Sequence, residues 1–134
     1  MANKFCTIEQ LADEIAKAVR EYTDDVSKGI MKVTAETSKA VCNEVQRIAV
    51  GQNHVRYAKG FTVKNYSTKN NAKYVVWNKA NYRLVHLLEK GHIIVRGKRA
   101  GKRTESFPHM GPAERKYVPL YVNRVKEIIK NGGG

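Results

Sequence analysis

Cysteine is scarce. Cys6 and Cys42 are the only two in 134 residues, with no CxxC pair and no neighbouring histidine cluster. A secreted disulfide framework is excluded, a reducing compartment fits better, and two isolated cysteines behave as small buried hydrophobes. No apolar run approaches the roughly 18 residues of a membrane span. MANKFCTIEQ has no apolar core of signal-peptide length, so the expectation is a soluble protein made without export by the usual route. Acids are also scarce, but only after residue 50. Residues 51–134 hold Glu89, Glu105, Glu114 and Glu127 against eighteen Lys and Arg, a net +14, whereas residues 1–50 sum to −1. Four scattered carboxylates leave little for paired-acid catalysis. No nucleophile elbow and no phosphate-binding glycine fingerprint is present. The chain carries no motif of an enzyme, and no cofactor is expected. The total of +13, borne by one end, points to an acidic partner: nucleic acid or an acidic protein face.

The length and ordinary apolar content suit one domain spanning 1–134, able to bury a core without staples. Thr7 followed by Gln10 is a capping-box signature. From there Ile8, Leu11, Ile15, Val19, Tyr22, Val26, Ile30, Val33, Val41, Val45 and Ile48 form a stripe at steps of mostly three and four, the period of a helix. A helical front over 7–50 is expected, kinked or broken near 22–25, where Thr23-Asp24-Asp25 could cap a second helix. Unbroken, about 43 residues would make a rod of about 65 Å, longer than a small domain is wide. Part of its stripe would then need another chain to cover it.

Behind the helix the period changes. Phe61, Val63 and Asn65 alternate with Thr62, Lys64 and Tyr66, and Val75 and Trp77 with Tyr74 and Val76. These are strand patterns, and Lys69-Asn70-Asn71 between them makes an antiparallel hairpin. Ala80–Lys90 is expected as a short helix with Gly91 in the left-handed position after it, and Ile93–Val95 as a third short strand. A mobile basic loop, 96–106, follows. Gly111-Pro112 opens a last helix, with Pro at its first position and Glu114 in its first turn; Pro119 should kink or restart it. Residues 131–134 are expected as a frayed, disordered tail. The fold class is therefore α+β, a helical front (7–50) on a basic α+β body (51–130).

Two groups could carry chemistry. His86, Glu89 and His92 have ligand-like residue types at three-residue spacing. At about 100° per residue, His86 and His92 would lie about 120° apart on a helix, and Gly91 ends the helix before His92. Zinc pairs on helices use i,i+4, so no metal site is expected there. A metal-dependent hydrolase would rest on this spacing alone. Arg96, Lys98, Arg99, Lys102 and Arg103 form a charge cluster suited to phosphates or an acidic protein surface. No aromatic side chains are interleaved for base stacking.

VVWNKANYRLVHLLEKGH, then the basic loop, then PHMGPAE resembles the neck and minor tail proteins of long-tailed bacteriophages, the tail-completion or head–tail joining proteins of the minor tail protein Z-like kind. The positions that carry the resemblance are Asn78, Tyr82, Arg83, Leu84, His86, Leu87, Leu88, Glu89, Gly91, His92, His109, Pro112, Ala113 and Glu114, and it runs over most of 55–130. It implies a structural virion protein at the top of the tail, made in the bacterial host cytoplasm. There it would form a homo-oligomeric ring, typically a hexamer, between connector or stopper and tail terminator or tail tube. DNA would pass through the lumen, no membrane would be involved, and His86, Glu89 and His92 would have structural roles, with Glu89 paired to a base or to the His92 backbone. The alternative from charge alone is a small basic nucleic-acid-binding protein.

Overall fold

The computed structural model describes residues 8–69 and 71–133, with the side chains of Ile8 and Glu9 apart. The capping box at Thr7, Cys6, Asn70 of the expected turn and Gly134 lie outside these residues. The order is α1 (Ile8–Gly51), α2 (Val55–Ala58), β1 (Phe61–Asn65), β2 (Tyr74–Asn78), a 3-10 turn (Tyr82–Leu84), α3 (Val85–Lys90) and α4 (Met110–Asn131). The architecture is α+β, as the sequence indicates.

α1 is one unbroken helix of 44 residues. Thr23-Asp24-Asp25 does not interrupt it. Instead Thr23 Oγ1 donates back to the Val19 carbonyl at 2.9 Å, so the hydroxyl serves the helix rather than capping a new one. Only the second half of α1 is covered. Val33, Cys42, Val45 and Ala49 are buried, whereas Leu11, Ile15, Val19 and Tyr22 are each about half exposed. α4 lies antiparallel along α1. Arg124 pairs with Glu36 at 2.9 Å, Lys116 with Glu44 at 3.5 Å, and the hydroxyls of Thr34 and Tyr121 bond at 2.7 Å. α4 ends beside Tyr22, whose hydroxyl donates to the Ile129 carbonyl at 2.6 Å. About fourteen residues of α1, roughly 21 Å of helix at 1.5 Å per residue, continue past that point.

The two strands pair antiparallel, Phe61 opposite Asn78 and Asn65 opposite Tyr74. Phe61, Val63 and Val76 turn toward the core formed by Cys42, Val45, Ala49, Tyr57, Ala58, Phe107 and Ala113. The connection is closed by Tyr66 N–H to the Lys73 carbonyl at 2.8 Å and by Asn65 Oδ1, which accepts from Ser67 N–H at 2.8 Å.

Several local expectations need correction. Ile93–Val95 is not a strand; it contributes one isolated bridge, Ile93 to Arg103, because the chain opposite it is already turning back. The helix expected over 80–90 starts as a 3-10 turn at Tyr82. Gly91 has φ +74° and ψ 170°, a backbone shape open to glycine but not the left-handed helical one. α4 starts at Met110, so Pro112 is its third residue and Glu114 lies beyond the first turn. The helix also runs through Pro119 without restarting. At the far end Asn131 closes α4 and Gly132 adopts the left-handed cap, while Gly133 N–H reaches the Ile128 carbonyl at 2.8 Å.

Candidate functional site

The junction of α3 and α4 is built on Glu89. The first amides of a helix have no partner inside it and carry partial positive charge. At α4 they find a carboxylate from twenty residues upstream. Glu89 Oε1 accepts from His109 N–H at 3.0 Å and Met110 N–H at 2.8 Å, and Oε2 accepts from Gly111 N–H at 3.0 Å. No side chain of α4's own N-cap contributes. Glu89 is thus the cap of α4; among the described residues neither a Lys or Arg side chain nor the His92 backbone pairs with it, and its one basic neighbour is His109. Burial alone would raise its pKa; the three amides, with nearby His109, outweigh that and hold it below the usual carboxylate value.

His109 is fully buried. Its ring stacks on Phe107 at 4.5 Å, and Phe107 stacks in turn on His54 at 4.4 Å; Tyr57 and Phe61 present edges to it. Nδ1 lies 2.9 Å from the Phe107 carbonyl and 3.0 Å from Glu89 Oε1. Both are acceptors, so the proton sits on Nδ1, and in the neutral ring Nε2 accepts from the Tyr57 hydroxyl at 2.8 Å. Burial, with a smaller contribution from the Glu89 charge, pushes the Tyr57 phenol up to about 12. Tyr57 therefore stays a hydrogen-bond donor at ordinary pH.

Asn78 is the second buried polar anchor. Its Nδ2 donates to the Tyr57 carbonyl at 2.9 Å, and its Oδ1 accepts from Asn81 N–H at 2.8 Å, tying β2 to α2 and to the entry of the 3-10 turn. Gly60 lies against the Asn78 amide so closely that a Cβ there would overlap Oδ1. Neither Gly60 nor Tyr57 was distinguishable in the sequence, because their roles are defined by partners distant along the chain.

Residues 92–104 form an arm that leaves and rejoins the body at one point. Thr104 N–H donates to the His92 carbonyl and His92 N–H to Thr104 Oγ1, both at 2.8 Å, and the Thr104 hydroxyl also meets His92 Nδ1 at 3.2 Å. Ile94 N–H to the Lys102 carbonyl, at 2.8 Å, continues the pairing. Arg96, Lys98, Arg99 and Lys102 are exposed on this arm. Arg103 is exposed too, but its guanidinium donates to the Lys90 carbonyl at 3.0 Å and closes the end of α3. Four of the five cations are thus displayed together, and the fifth holds the arm's base.

His86 and Tyr82 are exposed and take no part in the Glu89 junction. Glu89 and His92 are both engaged elsewhere, and among the described residues no three His, Cys, Asp or Glu side chains gather as metal ligands. Among these residues no helix is long and apolar enough to cross a membrane. The remaining conspicuous surface is the uncovered apolar stripe on the first half of α1.

One family model matches, described as "Bacteriophage HK97-gp10, putative tail-component", over residues 13–91. The match begins inside the projecting part of α1 and stops at Gly91, before the arm and α4. It therefore takes in the front helix, which the motifs of residues 78–114 alone would not have joined to the family. No curated protein and no solved structure matches the chain.

Proposed function

We propose that this chain, which belongs to the HK97-gp10-like family of bacteriophage tail components, is a tail-completion or head–tail joining protein. In this role copies of the chain form a ring, with six as the expected number, between the connector or stopper and the tail terminator or tail tube, and DNA crosses the lumen. Membership in the family places the protein with the structural components of the virion, where its neighbours are other virion proteins. The neck position, the ring and the passage of DNA are the further step.

The observation that carries this reading is the unpartnered half of α1. Leu11, Ile15, Val19 and Tyr22 are 50, 56, 58 and 47% exposed along one face. An isolated helix of this length is marginal in water, and its apolar face is stable when another chain covers it. A closed ring does so with one repeated contact. The exposed cations at 96–102 suit the acidic faces of neighbouring proteins or the phosphates of passing DNA.

The test is electron microscopy of the virion neck together with a phage lacking the gene. A ring density that fits this chain at the head–tail junction, and unjoined heads and tails in its absence, are the expected results. Location along the tail shaft or at its tip would overturn the neck assignment. The arm favours one competing reading, a small basic nucleic-acid-binding protein. That reading requires tight DNA binding by a monomer or dimer, with affinity falling steeply as salt rises.

A further inference from the structure

We infer that the exposed stripe on the first half of α1 docks on α4 of a second copy of this chain, head to tail, with the acids beside the stripe facing the bases beside an apolar strip on α4. The inference rests on the self-assembling role proposed above and names the surface through which it would act.

Both halves of the contact are present on each copy. On α1, Leu11, Ile15, Val19 and Tyr22 recur at steps of four, four and three, and on α4, Val118, Val122, Val125 and Ile129 at steps of four, three and four; Val118, Val122 and Ile129 are 45, 41 and 48% exposed. Two helices with this spacing mesh as a coiled-coil seam. Helical geometry places Glu14 and Glu21 along one edge of the α1 stripe, and Lys126 along the outer edge of the α4 strip. Glu14, Glu21 and Lys126 are all exposed.

Charge selects this occupant. Ile8–Asp25 holds six acids and two bases, whereas α4 holds five bases and two acids. Two front halves laid side by side would repel, so a symmetric pairing of fronts is disfavoured, while front against α4 is attractive. The contact cannot form within one copy. α4 ends at Tyr22, and its last residues are held there by the Tyr22–Ile129 bond and by Gly133 against Asp25. The free part of α1 points onward, away from its own α4. Because the two surfaces differ, each copy can give its front to one neighbour and receive another on its α4. That arrangement propagates until it closes.

Two variants of the full chain test the inference by sedimentation. E14K/E21K alters only the donating front, and V122E/K126E only the receiving strip. These side chains are all exposed, and both variants should unfold as the parent does. Each alone should self-associate at least about ten-fold more weakly than the parent. Mixed one to one, they should form a heterodimer, since each retains the surface the other lacks. If the mixture stays monomeric, or if E14K/E21K assembles like the parent, this surface is wrong while the ring survives. If V122E/K126E assembles normally and only E14K/E21K fails, fronts pair with fronts and the α4 assignment falls. A parent chain that is monomeric at all concentrations overturns the self-assembly reading itself.

Discussion

A single carboxylate ties the two ends of the body together. Glu89 spends both oxygens on the first amides of α4, a service usually supplied by a neighbouring Ser, Thr or Asp. Glu89→Ala leaves three partly buried donors bare and should destabilise the protein by about 2–3 kcal/mol in urea unfolding. Glu89→Gln keeps the acceptor geometry of one oxygen and should cost about half as much. The pH dependence has a definite sign. The folded carboxyl lies below its ordinary value of 4.5, so its contribution is complete above that value and is lost as pH falls through the lowered one. Glu44 behaves alike: hydrogen bonding to Arg47, chiefly, holds it at about 2. Stability measured from pH 6 down to pH 2 should therefore fall, and the fall should be shallower in Glu89→Gln. Two glycines give a sharper comparison. Gly91 and Gly97 both have positive φ, but only at Gly91 would a Cβ meet an atom, the Thr104 carbonyl at 2.6 Å. Gly91→Ala should cost about 1–3 kcal/mol more than Gly97→Ala.

At the scale of elements, the arm and α1 call for different experiments. Changing Arg96, Lys98, Arg99 and Lys102 to Gln should leave unfolding within about 0.5 kcal/mol, since these residues are exposed and the bonds that Arg99 and Lys102 make are through the backbone, which the change keeps. The same change should flatten the salt dependence of any DNA binding, by up to about 0.9 in log–log slope for each phosphate no longer neutralised. Extending the set to Arg103 should cost stability as well, because Arg103 caps α3. The sequence disclosed α1 through the recurrence of its apolar residues and disclosed β1 and β2 through their alternation. It misled at Thr23–Asp25, where capping residue types sit on an exposed helix face, and at Ile93–Val95, where β-branched residues find only one bridge. It was silent on His109 and Asn78 as core residues. A buried polar side chain is decided by partners distant in sequence, and Glu89 reaches α4 across twenty residues that no local pattern connects. The resemblance marked these positions as structural, and expected a base or the His92 backbone beside Glu89 where the structure has the first amides of α4.

At the scale of the molecule, the exposed part of α1 is also its acidic part, with six acids and two bases over Ile8–Asp25. Residues 10–25 of α1 are exposed, while residues 33–49 lie against the core. Amide hydrogens of residues 10–20 should exchange in the isolated chain much faster than those of residues 40–49, and slow on assembly. The opposite order would mean that the front is stable unaided. The antiparallel seat of α4 also sets a timetable. Thr34 waits for Tyr121, 87 residues later, and Tyr22 for Ile129, 107 residues later. At a synthesis rate of about 5–20 residues per second, the middle of α1 is outside the ribosome for several seconds before its cover exists. Contacts so distant in sequence also form slowly. The inner half of the stripe is thus bare on a nascent chain, and α4 is the last element to appear. In the proposed head-to-tail contact, a nascent chain would therefore offer its front to a finished copy before its own α4 could receive a neighbour.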